Sequence, residues 1–75
     1  MDVARIMESL AEQGVTALFK VDAERMRDAT KPWTFVASDG PFRDDLLVRT
    51  DAVSAEACLK ICLPRLRERG LVIPD

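Results

Sequence analysis

Seventy-five residues leave room for one domain, and a chain of that size buries only about 60% of the surface its unfolded form exposes. Eleven basic against thirteen acidic residues give a formal net charge of -2. That balance is too even for a nucleic-acid or membrane-surface binder, which carries a basic excess.

The 48% hydrophobic and 32% charged shares are those of a folded chain and exclude a disordered one. The opening Met1-Asp2-Val3-Ala4-Arg5 passes directly into an amphipathic pattern, without the basic-then-apolar order of a signal peptide. No apolar run approaches the ~20 residues that span a bilayer. Cys58 and Cys62, in one apolar segment, do not make a secreted disulfide scaffold, so the expected location is the reducing cytoplasm. Eight arginines against three lysines fit a GC-rich genome, and by analogy of size the chain is like the small accessory or regulatory proteins of bacteria.

Val3, Ile6, Met7 and Leu10 fall on one stripe at helical spacing, with Arg5, Glu8, Ser9 and Glu12 turned away. Asp2 is placed to cap this helix, and Gly14 sits where a left-handed residue ends it. From Val15 to Val21 the pattern alternates: Val15, Ala17, Phe19 and Val21 share one face, while Thr16, Leu18 and Lys20 share the other. β-Branched and aromatic content supports a strand. Asp22 to Lys31 is polar and of mixed charge around Met26; a helical turn is open to it, but a mobile loop is the expectation.

Pro32 leads into a second strand, Trp33 to Ser38, with Trp33, Phe35 and Ala37 on one face and Thr34 and Val36 on the other. Asp39-Gly40-Pro41 is a turn signal. Phe42 to Asp45 returns the chain to a third strand, Leu46 to Thr50, with Leu46 and Val48 inward. Ser54 then caps a helix with Glu56 in its first turn, facing the positive end of the helix dipole. Its buried stripe is Ala55, Cys58, Leu59, Cys62, Leu63 and Leu66, and Gly70 ends it. Pro64 removes the hydrogen bond to the Lys60 carbonyl, so a kink or break is expected there. The tail, 71–75, is apolar over Leu71-Val72-Ile73-Pro74.

The predicted fold is α+β, in the order α-β-β-β-α: a three-stranded antiparallel sheet with two helices packed on its Phe19/Trp33/Phe35 face.

The chain has neither histidine nor tyrosine, which removes the commonest general base, the commonest metal ligand and any phenolic acid. Cys58 and Cys62 lie four apart on the apolar stripe, where free cysteine behaves as a small hydrophobe. Core packing therefore outweighs a redox or metal role. Asp39, Asp44, Asp45 and Asp51 are a loose acidic set, but their spacing matches no EF-hand and Arg43 and Arg49 lie among them; solvated charge is the reading, with no metal. No cofactor or small-molecule ligand is inferred, and no enzyme activity.

The predicted α-β-β-β-α order resembles the topology of double-stranded RNA-binding domains. The resemblance implies a lysine cluster at the start of the last helix, facing phosphates. Here that position reads Asp51-Ala52-Val53-Ser54-Ala55-Glu56, which repels phosphate. Arg25, Arg27 and Lys31, with Arg65, Arg67 and Arg69 at the far end, are a weaker substitute, so weak nucleic-acid binding is the alternative function.

The outer sheet face gives the sharper expectation. Leu18, Val36 and Leu47 belong to successive strands on the side away from the helices, ringed by Thr16, Lys20, Thr34 and Arg49. Three large aliphatics on a face that should be polar ask for a protein partner. Scattered surface aliphatics, or the tail Leu71-Val72-Ile73 folding over them or adding a strand, are the plainer alternatives. The expected function is thus a non-enzymatic interaction or regulatory module, a homodimer among its forms, using Leu18, Val36, Leu47 and Arg49, with the tail contributing.

Overall fold

In a computed structural model of the chain, residues 1–39 and 46–74 are described. The order is α1 (Val3–Glu12), β1 (Val15–Val21), α2 (Ala23–Arg27), β2 (Trp33–Asp39), β3 (Leu46–Ala52) and α3 (Ala55–Glu68). The strands form one antiparallel sheet in the order β1-β2-β3, so the α+β architecture read from the periodicity is present. Asp39, expected to open the turn Asp39-Gly40-Pro41, is instead the last residue of β2; the rest of that turn and the return expected over 42–45 lie outside the described residues.

Each long helix starts where a short polar side chain can take up an orphan backbone N–H. The Asp2 carboxylate accepts from Arg5 N at 3.1 Å, and the Ser54 hydroxyl accepts from Ala57 N, also at 3.1 Å. Gly14 ends α1 at φ +87° with nothing within 4 Å of where a Cβ would stand. Backbone conformation, rather than crowding, is what selects glycine there.

The inner sheet face carries Val15, Ala17, Phe19 and Val21 on β1 and, level with the last three, Ala37, Phe35 and Trp33 on β2. Val48, Thr50 and Ala52 of β3 continue it. On it pack Ile6 and Leu10 from α1 and Cys58, Leu59, Cys62, Leu63 and Leu66 from α3. Phe35 is fully buried at the centre. Phe19 meets its ring at 4.9 Å between centroids and Trp33 edge-on at 5.8 Å, both within the range of favourable aromatic pairs.

Three expectations need correction. The segment 22–31 is not a structureless loop: Asp22 caps α2 by accepting from Arg25 N at 3.0 Å. α2 then stops through Ala29 at φ +54°, with Thr30 N donating to the Arg25 carbonyl at 3.0 Å. Of the kink or break expected at Pro64, the break does not occur: α3 runs from Ala55 to Glu68 through it. Lys60 and Pro64 are both exposed, so solvent lies beside the carbonyl that proline leaves without a helical donor.

The tail neither covers the outer sheet face nor adds a strand. The Gln13 side chain binds Val72, and Ile73 is buried against the core. This docking closes one side of a groove of about 440 Å³ lined by Met1, Ile6, Leu63, Pro64 and Pro74, among others. No helix among the described residues is long and apolar enough to cross a membrane.

Candidate functional site

The strand register sets out the opposite, outer face in three rows. Leu18 pairs with Val36, and Val36 with Arg49, so three of the four expected site residues stand in one line. Thr16, Ser38 and Leu46 form the row on one side of it, and Lys20, Thr34 and Asp51 the row on the other.

Leu47 is the exception. The ladder pairs Ala37 with Val48 and Ser38 with Leu46, skipping Leu47 at an irregularity between Ala37 and Ser38. One extra residue on β3 shifts the phase of everything before it. Leu46, expected inward, therefore shares the outer face with Ser38 and is 58% exposed. Leu47, expected outward, packs partly buried against the core. The outer aliphatics are thus Leu18, 48% exposed, half-buried Val36, and Leu46 in place of Leu47.

The third row is closed by α2. Thr34, expected at an exposed rim, is buried because the Arg25 guanidinium lies across it and donates to its hydroxyl at 2.8 Å. That hydroxyl in turn donates to the Asp51 carboxylate, and Arg25 Nη1 stands 3.2 Å from the same oxygen. The Thr34 hydroxyl first, then Arg25, hold the Asp51 carboxyl below its ordinary value of 3.8. Arg49 adds a looser contact to Asp51 at 3.9 Å. Arg25, one of the cations available to a nucleic-acid phosphate, is therefore engaged within the fold.

Of the acidic set, Asp51 is committed to this network, and Asp44 and Asp45 lie outside the described residues. Among the described residues, no three histidine, cysteine, aspartate or glutamate side chains are grouped to hold a metal ion. Cys58 and Cys62 are free and fully buried, in the core as their stripe required. The Cys62 thiol donates to Thr50 Oγ1 at 2.8 Å, satisfying a hydroxyl that points into the apolar layer. Burial raises both thiols above the ordinary value of 9.0, which disfavours the nucleophilic thiolate.

The run Leu46-Leu47-Val48 carries no alternation, and that lapse is the one sequence signal of the irregularity. Chemically, the surface offers aliphatic contact flanked by hydroxyls and the cations Lys20 and Arg49. No protein-family model, curated protein or solved structure matches this chain.

Proposed function

We propose that the chain is a non-enzymatic cytoplasmic interaction or regulatory module that binds protein through the outer face of its sheet. The observation that carries this reading is the aliphatic group Leu18, Val36 and Leu46, with Leu18 and Leu46 48% and 58% exposed. The long helices pack on the opposite face, and the tail is held against α1. Burying three such side chains contributes on the order of 5 kcal/mol before ordering costs. Thr16, Ser38, Lys20 and Arg49 around them supply a polar rim. The chemistry of the remaining groups supports a binding role over a catalytic one: the thiols are buried and protonated, and Asp51 is tied to Arg25.

The test compares partner capture by the tagged protein and by its Leu46→Asp variant. Leu46 is exposed enough for the fold to tolerate the change, so circular dichroism should stay native while the captured protein is lost. Equal capture by both would reject the outer face as the binding surface.

A further inference from the structure

β1 and β3 are the two edges of the sheet, and they are differently defended. β3 carries the irregularity at Leu47 and, on its outer face, Arg49 and Asp51, devices that discourage edge-to-edge pairing. β1 is less defended: its seven residues pair with β2 in unbroken register, and its outer face carries one charge, Lys20, near one end. Leu18 and Val21 are about half exposed, at 48% and 46%, on its two faces.

We infer that a second copy of this chain pairs along β1, antiparallel about a two-fold axis through Leu18, making one continuous sheet. This goes beyond the outer-face reading, because it names the occupant of the edge.

Self-pairing of a strand keeps side chains on matching faces only when the axis passes through a residue. Leu18 is the midpoint of Val15–Val21, so this register pairs every residue of the strand. Leu18 then meets its own copy on the outer face, and Thr16 meets the partner's Lys20. On the inner face Ala17 faces the partner's Phe19, small against large, and Val15 faces the partner's Val21. No like charges oppose each other, a condition that antiparallel pairs require. The inner face of β1 grades from Val15, 4% exposed, to Val21, 46% exposed. The two-fold sets the open end of each copy beside the closed end of the other. A second copy fits this edge because no pair in the register is repulsive, small faces large, and the buried end of one strand covers the open end of the other.

The test is sedimentation of the full chain with opposite charge changes at exposed Thr16. Thr16→Lys opposes the partner's Lys20 twice per dimer and should raise the dimer dissociation constant about tenfold; Thr16→Glu should lower it several-fold. Adding Lys20→Glu to Thr16→Lys turns the repulsion into an opposite-charge pair and should bring the constant back to the original value or several-fold below it. A wild-type chain that stays monomeric throughout the micromolar range, or Thr16 variants that shift together, would overturn the inference. Leu46→Asp, roughly 10 Å away across two strand spacings, should leave the dimer intact while removing partner capture, so the two readings fail separately.

Discussion

The side-chain amide of Gln13 reads the backbone of Val72 in both directions. Its Nε2 donates to the Val72 carbonyl at 2.6 Å and its Oε1 accepts from Val72 N at 2.8 Å. A residue at the end of α1 thus stands in for a neighbouring strand and fixes the tail, so that Ile73 reaches the core.

Gln13→Ala should remove both bonds at once. The bonds are exposed, so the cost is about 1 kcal/mol, or a fall in Tm of about 4–8 °C for a chain this size. The Val72 amide should exchange with solvent much faster. An unchanged melt with unchanged Val72 exchange would show that the tail is held by Ile73 alone.

The Arg25–Thr34–Asp51 network makes stability depend on acid. The Asp51 value is depressed in the fold relative to 3.8, and so is that of Asp22, mainly through the Arg25 backbone N–H. Their contribution is complete above the unfolded value and disappears as pH falls through the folded one. The urea midpoint should therefore hold from neutrality down to about pH 4 and drop below it. Asp51→Asn should start lower at neutral pH and show a shallower acid decline. Parallel curves for the two proteins would remove Asp51 from the account.

The thiols should report unfolding. Cys58 and Cys62 have no exposed surface, so a thiol reagent should modify them only as fast as the chain opens. Both should react at once in denaturant. Immediate modification of either in the native protein would contradict the packing described.

Ala29 holds a left-handed backbone, φ +54°, where L residues carry a steric cost of about 1–2 kcal/mol. Glycine lacks that cost but loses more freedom on folding. Ala29→Gly should therefore raise stability by about 0.5–1 kcal/mol, seen as a higher melting temperature. A lower one would mean that the turn after α2 depends on the alanine methyl.

The elements were legible where one period runs without interruption. Ile6 and Leu10 on α1, and Cys58 through Leu66 on α3, show their buried stripes directly in the sequence, and β1 shows its alternation. Counting by twos from Val48 backwards fails at Leu47 because a bulged strand does not keep one residue per step. Three consecutive aliphatics break the alternation there but do not say which of them is the extra residue. The long-range contact from Arg25 to Asp51 was equally invisible, since nothing local marks which of several cations crosses the sheet. Leu18, Val36 and Arg49 share one row of the outer face, as their phase predicts, because each lies in a stretch without the irregular step. The shortness of α2, five residues, hid it among polar neighbours, although Asp22 carries an ordinary capping signal.

The Leu47 irregularity has a consequence for assembly size. Two adhesive margins would let copies add without limit, the geometry of a growing fibril. With β3 interrupted at Leu47 and edged by charge, the pairing inferred for β1 has no counterpart on the other margin, and its use would consume the β1 edge. Growth would then halt at a closed pair, a finite particle in place of an endless ribbon.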